Sequence, residues 1–257
     1  YINVDLGVYF CHLCGTKGAV EKLRREFPQL LRGIEFQEIA SYVERQVRGV
    51  RPKCSVFDKS VCVWKFDVSD SCCSKAFSYL HRRGVKGVDI VYHDCRWSPE
   101  WPDRVIFPCY ENNRLVYFVG RSMSDTTPKW LNPPREATDL LPKSEIVYRI
   151  DVFRSFRPKV LVICEGVFDA IATDGVALLG KYASVVQLRK ILAVMPGEIV
   201  IALDRDAESE AVSMWKRLHV IVKTSIADVP EGCRDWGEIL TLSDERRLEL
   251  LEALWWR

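Results

Sequence analysis

The sequence has no continuous apolar stretch of membrane-spanning length and no signal-peptide pattern. The expectation is a soluble, intracellular protein with no membrane partner. It has no internal repeat and no low-complexity segment, which sets aside solenoids and compositional linkers. A dominant charge of one sign is also missing, because the formal net charge is only +2. Ten cysteines are present, but their spacing does not form a disulfide framework. Cys62, Cys109 and Cys164 lie within apolar strand-like runs and read as small buried hydrophobes. An initiator Met is absent as well; the chain starts at Tyr1, so further residues are expected upstream.

What is present is a chain of 257 residues, 48% apolar, enough for one large domain or two modest ones. The small net charge hides an asymmetry. Residues 1–150 carry 23 Lys and Arg against 18 Asp and Glu, whereas residues 151–257 carry 14 against 17. A basic front half and an acidic back half suit a phosphate-binding surface beside a cation-binding site.

In the front half, residues 3–15 resemble a short hairpin, and two helices are expected around residues 20–27 and 36–47. The spacing predicts a helix from Ser71 to Arg83, with Ala76, Tyr79 and Leu80 inward and Gly84 as its stop. Strands are predicted at Val61–Trp64, Val88–Tyr92, Val105–Tyr110 and Leu115–Val119, the last two joined by a turn at residues 111–114. Residues 122–145 form a Pro-rich polar loop, too long to be idle in a compact domain. After Pro158 the pattern becomes strand–helix alternation. Strands fit at 160–164, 175–179, 199–203 and 219–223, and helices at 167–174, 183–195, 207–218 and 244–255. The expected fold class is α/β, a mostly parallel sheet flanked by helices, preceded by a mixed α+β basic subdomain.

Two of those apolar strands end in carboxylates. Val160–Cys164 is followed by Glu165, Gly166 and Asp169, and Ile199–Leu203 is followed by Asp204, Arg205 and Asp206. A continuous apolar run reads as a strand buried on both faces, and ligands of such sheets bind beyond the carboxyl ends of the strands. Glu165, Asp204 and Asp206 would therefore meet at one rim, where their mutual repulsion calls for a cation. Hard oxygen donors favour Mg²⁺ or Mn²⁺. Asp235, after the fourth strand, adds a further carboxylate.

The Glu-Gly-x-x-Asp and Asp-x-Asp layout resembles the TOPRIM fold shared by primases, topoisomerases and some nucleases. The region before it narrows the resemblance. Tyr79-Leu80-His81-Arg82-Arg83-Gly84, Ile106-Phe107-Pro108, Gly120-Arg121 and Pro128-Lys129-Trp130-Leu131-Asn132-Pro133-Pro134 run in the order of the DnaG-type bacterial and phage primases. These motifs span most of residues 75–240. The resemblance implies residues 1–18 as a partial zinc-ribbon remnant, 19–157 as the basic subdomain, 158–242 as the TOPRIM domain and 243–257 as a C-terminal helix. It implies Glu165, Asp204 and Asp206 as catalytic metal ligands, Asp235 as a supplementary ligand and Asp169 as a brace behind them. Arg121, Lys129, Asn132 and Lys143 are implied to bind nucleotide or template. Cys11 and Cys14 are implied to be half of a zinc site, complete only if a second ligand pair lies upstream. The chain departs from the common pattern at Arg205 and Glu208, where small Gly is usual, and at Lys181, where Thr is usual. These departures suggest a divergent phage or mobile-element member.

The implied function is a DNA primase that makes short RNA primers on single-stranded DNA by metal-dependent nucleotidyl transfer. Its implied partners are the template, ribonucleoside triphosphates and a replicative helicase, in the bacterial cytoplasm. Two alternatives remain at this point: a TOPRIM nuclease or strand-transfer enzyme, and a non-catalytic single-stranded DNA-binding accessory protein.

Overall fold

The computed structural model describes residues 2–3, 8–10, 17–19, 54–63, 71–112, 114–124, 126–154 and 157–255. Near the start, β1 (Ile2–Asn3), β2 (Val8–Phe10) and β3 (Lys17–Ala19) form a three-stranded antiparallel sheet. Cys11, Cys14 and the helices expected at 20–27 and 36–47 lie outside the described residues. The rest divides into two units, Glu35–Ile146 and Val147–Arg257. Among the described residues, no helix is long and apolar enough to cross a membrane.

The first of these two units is built on a five-stranded antiparallel sheet in the order β4-β5-β6-β7-β8. The strands are β4 (Val61–Cys62), β5 (Arg96–Ser98), β6 (Trp101–Glu111), β7 (Arg114–Ser122) and β8 (Trp130–Leu131). Its centre is the long β6–β7 hairpin, closed by a turn in which Asn112 takes φ +51°, a conformation Asn tolerates. A short helix, α1 (Ser55–Asp58), covers one face; Val56 and Phe57 pack with Ile106, Leu115 and Phe118. Helix α2 (Ser71–Arg82) buries Cys73, Ala76, Tyr79 and Leu80, a 3.6-residue stripe, and ends where Gly84 turns to φ +76°.

Residues 87–92 depart from expectation. They form a helix, α3 (Gly87–Tyr92), rather than a strand. The Asp89 carboxylate accepts the Lys86 backbone N–H at 3.3 Å, and Asp89, Ile90 and Val91 are buried. Capping and packing outweigh the strand preference of Val88, Ile90 and Val91. Cys62 also differs from the reading of a plain core thiol. It is half-buried, and its Sγ lies 3.2 Å from Asp94 Oδ1 and 3.1 Å from Arg96 Nη1. Cys109 and Cys164 are fully buried, as read from the sequence.

The second unit carries a four-stranded, fully parallel sheet in the order β10-β9-β11-β12. Its strands are β9 (Val160–Cys164), β10 (Val176–Ala177), β11 (Glu198–Ala202) and β12 (Lys223–Ile226). The helices are α4 (Ile150–Arg154), α5 (Val167–Thr173), α6 (Val185–Ala193), α7 (Glu208–Leu218) and α8 (Asp244–Trp255). Leu161, Ile163, Ile199 and Ile201 from the two central strands pack with Leu188 and Ile191 of α6 and Met214 and Leu218 of α7. The last strand is displaced from the expected 219–223. Helix α7 runs on to Leu218, whose carbonyl accepts the N–H groups of Ile221 and Val222. Register with β11 then begins at Glu198 opposite Lys223, a pair tied by a 2.7 Å ion pair.

Gly175 lets the chain pass close against β9 between α5 and β10. A Cβ there would lie 2.5 Å from the Val162 carbonyl oxygen, a backbone atom that cannot turn aside. Gly175→Ala is expected to destabilise this unit by about 1–3 kcal/mol, read as a lower denaturant midpoint at unchanged slope.

Candidate metal centre and nucleotide-contacting residues

The carboxylates gather because β9 and β11 are paired in register. Cys164 lies opposite Ala202, so Glu165 leaves β9 as Leu203 and Asp204 leave β11. Asp206 follows within a 3-10 turn, Arg205–Ala207, that leads into α7. Glu165, Asp204 and Asp206 each offer an oxygen, all within 4.8 Å of one another. Glu165 and Asp204 are half-buried and Asp206 is exposed.

Desolvation and repulsion dominate the electrostatics of this cluster. Desolvation and then the charges of Asp169, Asp235 and Asp206 push the Asp204 carboxyl up to about 7. Glu165 is raised by desolvation, then by Asp204 and Asp206, with Lys181 pulling the other way. Asp204 Oδ1 is buried with no hydrogen-bond partner, in an interior where such atoms are nearly always paired. An all-oxygen donor set with an orphaned acceptor fits a hard divalent cation.

Asp169 is differently employed. It is 7% exposed, and its two oxygens accept separate backbone N–H groups, Gly166 at 2.9 Å and Gly237 at 2.8 Å. Burial is the first cause that lifts it to about 6, followed by the Asp235 charge, against which the two N–H donors act. Asp235 caps the 3-10 helix Trp236–Thr241, its Oδ1 accepting the Glu238 N–H at 2.9 Å. It influences Asp204 and Asp169 electrostatically but stands outside the three-carboxylate cluster. Arg205 turns away from the carboxylates, its guanidinium donating to the carbonyls of Val229 and Pro230.

In the antiparallel unit, Arg121 pairs across the sheet with Trp130. Its guanidinium lies 5.2 Å from the Trp130 ring centroid, and its Nε donates to the Tyr79 hydroxyl at 3.2 Å. Arg104 Nη2 donates to the Pro128 carbonyl at 2.9 Å, and the Ser122 N–H to the Lys129 carbonyl at 2.9 Å. The loop carrying Lys129 is thus fixed through its backbone while the Lys129 side chain is exposed. Asn132 and Lys143 are also exposed, Lys143 at the start of the 3-10 turn Lys143–Glu145. Sequence reasoning missed Tyr79 and Trp130 as the groups that orient Arg121. Both sit inside the quoted motifs, but only the β7–β8 register, for Trp130, and the packing of α2 on the sheet, for Tyr79, show which residue they serve.

No family model matches the chain. A DNA primase of Deinococcus radiodurans is 34% identical over 154 residues, covering 55% of this chain and 26% of its own. A DNA primase of Campylobacter jejuni subsp. jejuni is 25% identical over 304 residues, covering 96% of this chain and 49% of its own. The chain spans at most about half of the length of the curated relatives it matches. Among solved structures, the DnaG primase catalytic domain bound to ssDNA aligns with TM-score 0.60 and 17% identity, covering 85% of this chain and 82% of its own. The E. coli primase catalytic core aligns with TM-score 0.59 and 18% identity, covering 72% and 74%. The chain has the catalytic-core fold of the DnaG-type primases and is similar in sequence to bacterial DNA primases.

Proposed function

We propose that this chain is the catalytic core of a DNA primase, which joins ribonucleotides into RNA primers on single-stranded DNA. The observation that carries the proposal is the convergence of Glu165, Asp204 and Asp206 within 4.8 Å, in a chain with the DnaG catalytic-core fold. The activity for which the relatives are named, and the single-stranded DNA bound by one solved catalytic domain of the same fold, support the template class.

Glu165, Asp204 and Asp206 would hold Mg²⁺ or Mn²⁺, with Asp235 as a supplementary ligand. When bound, the cations lower the barrier of an in-line phosphoryl displacement by neutralising charge on the attacking and leaving oxygens. The protein's own groups do the rest. Asp169 braces the Glu165 turn against the Gly237 loop. Arg121 presents a guanidinium oriented by Tyr79 and Trp130 to a phosphate. Lys129, Asn132 and Lys143 supply exposed donors for nucleotide or template. Arg104 is lowered from its ordinary value first by desolvation, with Asp103 pulling it up and the Arg121 charge pushing it down. A helicase partner, a cytoplasmic location and, only if a second ligand pair lies upstream, Zn²⁺ at Cys11 and Cys14 complete the proposal on the strength of the family resemblance.

Asp204→Ala is expected to abolish primer synthesis from ribonucleotides on single-stranded DNA. Full activity of that variant would refute the assignment, and cleavage of labelled DNA with Mn²⁺ and no nucleotides would favour a nuclease instead. Arg121→Ala is expected to lower primer yield by about tenfold or more, the equivalent of one or two charge-assisted hydrogen bonds. A gel assay of primer yield at fixed template checks it.

The carboxylates also predict a pH signature. A carboxyl raised to about 7 favours its neutral form in the folded state, so its stabilising contribution is complete below the ordinary carboxylate range and is lost as pH rises through 7. Without divalent metal, Asp204→Asn should therefore melt higher than wild type at pH 8 and lose that advantage at pH 4. Mg²⁺ should raise the wild-type melting temperature more at pH 8 than at pH 6, because metal binding must displace the proton. Thermal melts with EDTA and with Mg²⁺ read both effects; equal responses of wild type and Asp204→Asn to Mg²⁺ would remove Asp204 from the ligand set.

A further inference from the structure

Lys181 stands beside the carboxylate cluster on a loop strapped to it. The Leu178 N–H donates to the Cys164 carbonyl at 3.1 Å, and the Gly180 N–H to the carbonyl of Glu165 itself at 3.1 Å. Between them Leu179 adopts φ +60°, a left-handed conformation that a bulky residue takes up only when its surroundings enforce it. The buried side chain of Gln187 donates to the Leu178 carbonyl at 3.0 Å and fixes the loop from the α6 side. The result is a lysine delivered to the rim by the same backbone that presents Glu165.

Its charge acts on that rim. Lys181 lowers Glu165 against the other influences, and is itself raised first by Glu210 and, to a smaller extent, by Asp206. Its nearest anion is Glu210, in the first turn of α7, at 3.4 Å. Glu210 is itself held by the Ser209 hydroxyl at 2.7 Å and by the hydroxyl of Tyr182. Lys181 remains about one third exposed, so a ligand can reach it. A partly exposed ion pair contributes little to stability, and a strained, doubly strapped loop is more than such a pair needs.

A nucleoside triphosphate approaching three carboxylates brings several negative charges into an already negative site. A compact cation outside the ligand set is suited to its terminal phosphates, which no carboxylate can hold directly. We propose that Lys181 binds the leaving-phosphate end of the incoming nucleoside triphosphate, and that Glu210 holds it ready beside Glu165 and releases it to the phosphate. The inference rests on the primase reading for the identity of the substrate, and on the loop geometry for the residue.

The test measures Mg²⁺-dependent binding of inorganic tripolyphosphate by calorimetry, alongside KM for ribonucleotides, in wild type, Lys181→Thr, Lys181→Arg and Glu210→Gln. Lys181→Thr is expected to weaken tripolyphosphate binding and raise KM by about tenfold each, with a much smaller change in kcat. Lys181→Arg should recover most of the affinity. Glu210→Gln should bind tripolyphosphate at least as tightly as wild type, since a competing anion is gone. Unchanged affinity and KM in Lys181→Thr would overturn the assignment, and a loss in Glu210→Gln equal to that in Lys181→Thr would overturn the release by Glu210. A wild-type chain that makes no primer on any template refutes the primase reading instead, and the tripolyphosphate measurement still reports on Lys181.

Discussion

Repulsion among carboxylates beyond β9 and β11 is the constraint that organises the second unit. Parallel pairing of two buried, largely apolar strands delivers Glu165 and Asp204 to the same edge whether or not their charges agree. The cost to folding depends on pH, because Glu165 is raised and Asp204 is pushed up to about 7; protonation relieves the repulsion at low pH, and the cost grows as pH rises through 7. The Asp169 charge adds to the pressure on Asp204, yet its carboxylate has a structural task of its own. Asp169 spends both oxygens on backbone N–H groups far apart in the chain, at Gly166 and Gly237, and so ties the turn after β9 to the loop before the last helix. The close approach needed for the second bond explains Gly237, where a Cβ would sit 3.0 Å from Phe168 and 3.2 Å from the Asp169 oxygen.

The parallel sheet was legible because its signals are strong. Val160–Cys164 is all apolar and lies within the sheet at the residues expected, and α8 begins and ends at Asp244 and Trp255 as its spacing predicts. Errors arose where β-branched residues stand outside strands. Val88–Tyr92 coils into α3 because capping and packing decide a six-residue segment, and Val220 and Ile221 are largely exposed in the turn after α7. In both places local preference for extended backbone gave way to a neighbour that sequence spacing does not reveal. Asp-x-Asp and Glu-Gly-x-x-Asp made the carboxylates visible as candidates. The Gly237 partner of Asp169 and the contact of Arg121 with Tyr79 were not visible, since each joins residues far apart in the chain.

The antiparallel unit prepares its cation by different means. Among the described residues, Arg121 is held by an aromatic face and a phenol oxygen and by no acid. An Arg held by an acid would have to be released before meeting a phosphate, whereas one resting on Trp130 keeps its charge available. Lys129 gains precision through its backbone, because the Ser122 N–H and Arg104 bind the loop carbonyls and leave the ammonium in solvent. Rigid backbone with an uncommitted side chain is the arrangement expected of a group that meets a mobile polyanion.

Asp169 and Asp204 differ by a criterion that charge alone does not supply. Both are raised above their ordinary values, and desolvation is the first cause in each. Asp169 has both oxygens satisfied by N–H donors, so a cation would have to compete with bonds already made. Asp204 keeps a buried oxygen without a donor, although Gly166, Gly237 and Glu238 all give their N–H groups to other carboxylates close by. Backbone donors are therefore available in this part of the fold, and none is turned on that Asp204 oxygen. A purely structural carboxylate would be expected to have captured one; an acceptor left open at the rim is what a cation needs.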